Sequence, residues 1–410
     1  MMSAIFSLFT AASVFVLRSN NDPRYNVTIP IGEYLSVDSM MAVRCPELLL
    51  KDMSSEYCKS SNGARVVSQY GKRILDMNDV KAGDVLHMVF AHTHFVYHQP
   101  IGRPFATESG FTLTQISYSP RVFFIEEQIL NDEQIDDLIT VSANAFYKST
   151  TGDLHRVAIS TMRTSENTVE TSTNASKTIK NIAFNMLAMD DIDGLAEPLQ
   201  VVRYAPSQYY LPHTDYFEGD EMYNPKINNG SNRFATLFVY LNTITKGGET
   251  IFPLAYETRF LGSNWTLDMF LDECVPNANV IHVNPTKGKG ILFYSQHPNG
   301  TLDPISLHGA CPPLGSTKIA ANLWMWNRPK NLEGECPVDM PVSIQLHNPL
   351  DEEIKVYWDK DAKKDCSQSK KCVFVMSISG KNSSILHTFY EHVFHLYDSA
   401  NKYKDTIAIR

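Results

Sequence analysis

Hydrophobic and polar residues change rhythm three times along the chain. Up to about residue 115, short apolar runs such as "YNVTIPI" and "DVLHMVFAH" are broken by Gly32, Gly63, Gly71 and Gly83, the pattern of strands joined by tight turns. From about residue 116, "SPRVFFIEEQILNDEQIDDLITVSANAF" predicts a strand and then a helix. Asn131 is its N-cap, acidic residues fill the first turn, and Ile135, Leu138 and Ile139 recur at helical spacing. "TIKNIAFNMLAM" predicts a second amphipathic helix. Strand-like runs follow: "LQVVRY", "FATLFVYL", "VIHV", "GILFYS" and "KIAANLWMW". Many short strands after a helical lead-in predict a double-sheet jelly roll or barrel. Past Cys336, "VSIQLHN", "IKVYWD", "CVFVMSIS" and "ILHTFYEHVFHLYD" alternate in the strand manner.

The predicted class is therefore α+β, mainly β. Residues 1–115 form an N-terminal domain, 116–335 a jelly-roll core with supporting helices, and 336–410 a small C-terminal β-sandwich leaning on its neighbour. Within the first part, "QYGKRILDMNDVKAGDVLHMVF" loosely resembles a ubiquitin-like domain. There is no internal repeat and no low-complexity segment.

The 410 residues carry a formal charge of -9, which argues against general nucleic-acid binding because a polyanion is repelled. Ser3 to Leu17 is uncharged but too short to span a bilayer comfortably. Residues 1–19 read equally as a secretory segment lacking a positive n-region or as the first strand of a domain. Cys45/Cys58 and Cys366/Cys372 lie close enough in sequence to bridge, and no C-x-x-C is present. Asn26, Asn174, Asn229, Asn264, Asn299 and Asn382 sit in N-x-S/T sequons, which nudge the reading toward the secretory pathway. The histidines of "HTHFVYH" are expected to be surface or packing residues, since no acidic or Cys partner is nearby.

The stretch "RYAPSQYYLPHTDYF" places His213 and Asp215 two apart. On an extended strand they share a face. Far downstream, His308 precedes the turn "CPPLG", and Lys318 opens a strand on which Lys318, Ala320, Asn322 and Trp324 share a face. An inward lysine is costly unless it meets an anion. Two neutral imidazoles and one carboxylate match the facial triad of non-heme Fe(II) oxygenases, which leaves open positions for a chelating 2-oxo acid and dioxygen. Lys318 supplies the cation for the far carboxylate of such an acid.

These segments resemble the prolyl 4-hydroxylases, which use Fe(II) and 2-oxoglutarate. The likeness covers about residues 118–330 and runs through Tyr204–Phe217, "RFATLFVYLN", the Gly247–Pro253 segment "GGETIFP", "GKGILFYS" and "SLHGACP" with Lys318. The lead-in helix and "STMRTSE" fit as well. The resemblance implies that His213, Asp215 and His308 bind iron and that Lys318 pairs with the co-substrate's tail carboxylate. It implies that Tyr204, Tyr210 and Thr236 line the co-substrate pocket and that Arg233, Trp324 and Trp326 lie near the substrate groove. Cys274 and Cys311 match a disulfide of some members, which places the chain in an oxidising compartment such as the endoplasmic reticulum. Hydroxylation of peptidyl proline with release of succinate and carbon dioxide, sustained by L-ascorbate, is the implied reaction. Ser207 replaces the usual Gly, and Trp326 stands where some relatives carry a small polar residue or His. The segment "FEGDEMYNPKINNGSN" is a candidate loop over substrate.

The C-terminal run His387–Phe394 resembles the von Hippel–Lindau β domain, a reader of hydroxyproline peptides, but Phe389, Glu391 and Phe394 depart from its pattern. Core packing is the expectation for these aromatics. Two rivals to proline hydroxylation stand: hydroxylation of another residue such as lysine, and a non-catalytic peptide binder that kept the barrel. A hydrolase lacks support, since no G-x-S-x-G occurs.

Overall fold

In the computed structural model, alternation along two long strands sets most of the architecture. Along Arg233–Tyr240, Ala235, Leu237 and Val239 enter one core, while Phe238 and Tyr240 enter another. Along Lys318–Trp326, Ala321, Leu323 and Met325 face the first core and Ala320 the second. A sheet with an apolar layer on each face must be covered on both sides.

The structure describes residues 14–19, 25–49, 55–91, 93–149, 162–192, 194–217, 231–255, 265–276, 280–329, 341–359, 372–389, 393–400 and 402–408. The chain divides into two compact units, Met1–Phe217 with Asn232–Pro329, and Glu218–Ser231 with Lys330–Arg410.

In the first unit the two long strands sit side by side in a nine-stranded sheet. Leu199–Tyr204 and Glu166–Glu170 extend it on one side, Gly290–Tyr294, Arg121–Ile125 and Thr112–Tyr118 on the other. A four-stranded sheet, ordered Tyr210–His213, His308–Ala310, Thr250–Phe252, Ile281–Val283, contributes Tyr210, Ala310, Phe252, Ile281 and Val283 to the second core. This is a double-sheet jelly roll.

The other face of the large sheet carries two helices. Asp132–Ser142 starts at Asn131, whose side chain accepts from Gln134 N while Gln134 reciprocates, a capping box. Asn174–Met186 starts at Thr173. Their apolar stripes, with Ile135, Leu138, Ile179 and Ala183, fill the first core. So do Val67, Val89, Phe95, Val96 and Tyr97 of the N-terminal part, and the Tyr97 hydroxyl donates to Met186 O at 2.7 Å.

That N-terminal part is a five-stranded mixed sheet in which Val14–Ser19 lies between Asn26–Pro30 and a parallel Val85–Val89. Phe15 and Leu17 are fully buried, so residues 14–19 are a sheet-centre strand here. Residues 1–13 lie outside the described set. The helix Val37–Leu48 was not legible in the sequence, because Pro46 interrupts it and Pro argues against a helix interior. Disulfide Cys45–Cys58 ties it to the turn Ser55–Cys58. Cys366 lies outside the described residues. Of the expected packing histidines, His94 Nε2 meets Asn327 O at 2.6 Å and His98 stacks on buried His87; His92 lies outside the described residues.

Ser207 adopts φ 70°, the left-handed region that disfavours a Cβ. The backbone thus takes the conformation a glycine would take there, and Ser207 N donates to Pro313 O at 3.1 Å.

The second unit pairs Pro341–His347 with Ser383–Phe389, and orders Cys372–Ile378, Ile354–Asp359, Val393–Asp398 and Tyr403–Ala408 in a second sheet. The last strand was missed in the sequence. Val356, Ile378, Leu386 and Phe394 form the core. Phe394 is 2% exposed and packs the core; residues 390–392 of the reader-like run lie outside the described set.

Two stability measurements check these assignments. Ser207→Gly is expected to stabilise the fold by about 0.5–1 kcal/mol, read as a higher urea midpoint, because it relieves the left-handed cost to a side chain. Phe394→Ala is expected to destabilise the C-terminal unit by about 3–5 kcal/mol; a change under about 1 kcal/mol would mean the ring is not core.

Candidate metal and co-substrate site

The first link is register. Strands Tyr210–His213 and His308–Ala310 pair antiparallel with His213 directly opposite His308. The imidazole centroids are 4.5 Å apart. Asp215 Oδ1 lies 3.9 Å from His213 Nε2, and Asp215 Oδ2 lies 3.7 Å from His308 Nε2. One donor atom from each of the three falls within 4.8 Å of the others, and among the described residues no other such group of His, Cys, Asp and Glu occurs.

Both rings are set in the same tautomer. His213 Nδ1 is 2.9 Å from Leu211 O and His308 Nδ1 is 3.0 Å from Ser306 O. A carbonyl only accepts, so each Nδ1 carries the proton and each Nε2 is left with its lone pair for a metal. Tyr210 stacks on His213 at 3.5 Å, and Phe293 meets His308 edge-on at 4.6 Å. Burial, with His308 alongside, pushes His213 down to about 3. Burial alone would raise the Asp215 carboxyl, but the two histidines, Arg233 and the Thr236 hydroxyl outweigh it and hold it below its ordinary value. Thr236 donates to Asp215 Oδ2 at 2.6 Å. The donor set is thus two neutral nitrogens and one carboxylate, charged and aimed at a common point, and it fits Fe(II).

Gly309 separates His308 from the rest of its strand for a steric reason. A Cβ there would meet Phe270 at 2.7 Å and Tyr210 O at 3.1 Å. The helix Leu267–Glu273 therefore packs directly on the metal strand, and disulfide Cys274–Cys311 closes that contact covalently.

Lys318 stands opposite Tyr204 in the neighbouring strand. It is 0% exposed, and its Nζ makes no hydrogen bond within the protein. Tyr204, Phe238 and Tyr240 each hold their ring centroid 5.5 Å from the ammonium. Burial, opposed by Glu249, pushes Lys318 down to about 7. A buried cation with aromatic walls, no hydrogen-bond partner and only the longer-range charge of Glu249 to oppose its burial suits a carboxylate. This unpaired ammonium fits the carboxylate of a 2-oxo acid. Burial likewise raises Tyr204 and pushes Tyr210 up to about 12, so both phenols stay protonated.

The remaining predicted residues are placed as follows. Arg233 lies 3.7 Å over the Trp324 ring, and its Nη1 donates to the Asp215 carbonyl at 3.2 Å. Trp324 Nε1 has no partner in the protein. Trp326 is fully buried, stacks near Phe217, and donates to Glu197 at 2.8 Å, so it does not face an open groove. Residues 218–230, most of the loop singled out over substrate, lie outside the described set. Sequence reasoning missed Glu197 and Arg163. Glu197 takes both Arg233 Nε and Nη2, at 2.7 and 3.0 Å. Arg163 sits 4.7 Å over Tyr210 and donates to Ser165 and Gln200. The "STMRTSE" likeness was the available signal for Arg163; a lone Glu before a strand gave none for Glu197.

Comparison with known proteins agrees with this geometry. Residues 199–326 match the family model of the 2OG-Fe(II) oxygenase superfamily. Probable prolyl 4-hydroxylase 7 of Arabidopsis thaliana is 33% identical over 228 residues, covering 54% of this chain and 68% of that protein. The chain belongs to the prolyl 4-hydroxylase family. Prolyl 4-hydroxylase 2 of the same plant is 32% identical over 236 residues, covering 55% of this chain and 73% of its own. Among solved structures, the viral collagen prolyl hydroxylase of Paramecium Bursaria Chlorella virus-1 aligns with a TM-score of 0.35 and 25% identity, over 49% of this chain and 93% of its own. As a family member the chain is a 2-oxoglutarate-dependent dioxygenase using Fe(II) and 2-oxoglutarate. No helix among the described residues is long and apolar enough to cross a membrane.

The buried ammonium gives a stability prediction. With its pKa lowered from 10.5 to about 7, Lys318 costs the ligand-free fold most below pH 7, where folded and unfolded chains both hold the proton. The cost fades as pH rises from about 7 toward 10.5. Lys318→Met is expected to raise the melting temperature of ligand-free protein at about pH 6 and to lose that advantage at about pH 10. An equal effect at both would show that the ammonium is solvated.

Proposed function

We propose that this chain hydroxylates peptidyl proline to 4-hydroxyproline, with 2-oxoglutarate consumed to succinate and carbon dioxide. The observation that carries the reading is the convergence of the His213, Asp215 and His308 donors in a fold where the Lys318 ammonium is buried without a hydrogen-bond partner. The names of the relatives, prolyl 4-hydroxylases at 32–33% identity, support proline as the target residue.

His213, Asp215 and His308 would hold Fe(II). Once bound, iron and 2-oxoglutarate supply the oxidising chemistry that functionalises an unactivated C–H bond. The protein's own contribution is binding and orientation. Lys318 neutralises the tail carboxylate of the 2-oxo acid within its aromatic wall. Tyr204, protonated and adjacent, completes that pocket, and Tyr210 braces His213 by stacking. Thr236 holds the Asp215 carboxylate in place with its hydroxyl. Trp324, whose ring packs on the Arg233 guanidinium at 3.7 Å, is assigned with Arg233 to the wall of the substrate groove. L-ascorbate is expected to sustain turnover.

Disulfides Cys45–Cys58 and Cys274–Cys311 favour an oxidising compartment, so we place the enzyme in the secretory pathway, with Asn26, Asn174, Asn299 and Asn382 exposed as glycosylation acceptors. The order of the N-terminal sheet, with a helix between its hairpin and a parallel central strand, supports a ubiquitin-like fold for that part, and the two sheets around one core support a β-sandwich for the C-terminal unit.

The experiment is incubation of Pro-rich peptides with Fe(II) and 2-oxoglutarate, with succinate measured and the peptide fragmented by mass spectrometry. One added oxygen on proline is the expected product. An added oxygen on lysine would redirect the reading to that residue, and no Fe(II)-dependent succinate would favour a peptide binder. His213→Ala is expected to abolish turnover. Lys318→Met is expected to weaken 2-oxoglutarate binding at least about 30-fold, the cost of removing one partner of a buried charge pair.

A further inference from the structure

The guanidinium of Arg233 is committed on three sides. Glu197 grips Nε and Nη2 through both carboxylate oxygens, at 2.7 and 3.0 Å. The third nitrogen, Nη1, donates to the main-chain carbonyl of Asp215 at 3.2 Å. The planar face lies on Trp324 at 3.7 Å and near Phe217 at 4.9 Å. Glu197 is itself fixed. Its N–H donates to Trp324 O at 3.0 Å, and its carboxylate accepts from the fully buried Trp326 indole at 2.8 Å.

These bonds form one chain, from Trp326 through Glu197 and Arg233 to the backbone of a metal ligand. Asp215 lies just beyond the end of strand Tyr210–His213, so no ladder hydrogen bond of that strand holds its main chain. Its carboxylate is positioned by Thr236 and its carbonyl by Arg233. We infer that Glu197 is a positioning residue for the metal centre: it orients Arg233 so that Arg233 fixes Asp215 for metal binding. The inference rests on the reading of His213, Asp215 and His308 as the metal ligands. Arg233 is held by too many protein groups to be spent wholly on a peptide, and a bidentate carboxylate fork is the geometry that fixes a guanidinium in orientation. Trp326, whose indole donates to Glu197 at 2.8 Å, is part of this brace.

The test is Co(II) binding to the full chain without 2-oxoglutarate or peptide, read from the cobalt absorption spectrum and titrated. Wild type is expected to bind and His213→Ala to lose binding. Glu197→Gln, nearly isosteric, is expected to weaken Co(II) affinity about tenfold and to alter the spectrum, in line with residues that orient metal ligands from outside. Trp326→Phe keeps the ion pair but removes one bond to Glu197, and is expected to weaken affinity about two- to threefold, a share of that outer-shell effect. Should Glu197→Gln fail to fold by circular dichroism, Trp326→Phe decides: weaker binding supports the inference and wild-type binding overturns it. Unchanged Co(II) affinity in a folded Glu197→Gln, with only the KM for peptide raised, would overturn it and leave Glu197 to the substrate groove. Loss of His213-dependent binding in the wild type itself would instead bring down the metal reading, and this one with it.

Discussion

The cross-strand register that sets His213 opposite His308 is the constraint on which the site depends. Side chains of a strand alternate between faces, so a slip of one residue would turn one imidazole away from the other and replace it with its neighbour. Burial on the inner face of the small sheet pairs Tyr210 with Ala310, in one core with Phe252, Phe238, Phe293 and Ala320, and a register shift between Tyr210 and His213 then brings His213 opposite His308. The metal geometry is a by-product of core packing. Ligands carried on strands are held more tightly than ligands carried on loops, and Asp215, just past a strand end, is the one that draws on extra hydrogen bonds.

The same core pays for a second feature that weakens the ligand-free fold. A fully buried ammonium with no hydrogen-bond partner is tolerated because its ring walls offer some compensation and because its pKa falls to about 7. A site whose charge is already desolvated loses little further hydration when an anion arrives, which favours tight binding of a carboxylate over water. Instability without ligand and affinity for it thus share one cause.

How much of this was legible follows from what each signal measures. The jelly-roll strands announced themselves because a period of two is forced wherever one face is buried. Lys318 was legible as inward-facing from its parity with Ala320 and Trp324 alone. The H-x-D pair was legible as a shared face, but its meeting with His308, 93 residues on by the sequence numbering, rested on matching donor types to a known triad and then on family likeness, since periodicity carries no information on pairing between distant strands. Three things escaped. The helix Val37–Leu48 hid behind Pro46, where packing of Met40, Met41 and Cys45 outweighs local propensity. The strand Tyr403–Ala408 reads as "YKDTIA", too polar for the apolar-run criterion. Glu197 escaped because a single carboxylate signals nothing until its partners are known. Trp326 was legible as unusual, but as a groove residue; its burial became visible only with Phe217 and Glu197 in place.

Rigidity around His308 has a source distinct from hydrogen bonding. Gly309 leaves room for the Phe270 ring to lie against the strand backbone, where a Cβ would come within 2.7 Å of it. Phe270 in turn belongs to a small core with Leu211, Ile251 and Cys311, and Cys311 is bonded to Cys274 at the end of the helix that carries Phe270. Helix and metal strand therefore move as one body, and the link closes a loop of residues that would otherwise cost conformational entropy to hold. Because each histidine takes its tautomer from the main-chain carbonyl two residues before it, fixing the backbone also fixes which nitrogen faces the metal. Organisation of the site thus precedes its metal: the entropy of arranging the two imidazoles is lost when the chain folds, and Thr236 and Arg233 do the same for Asp215.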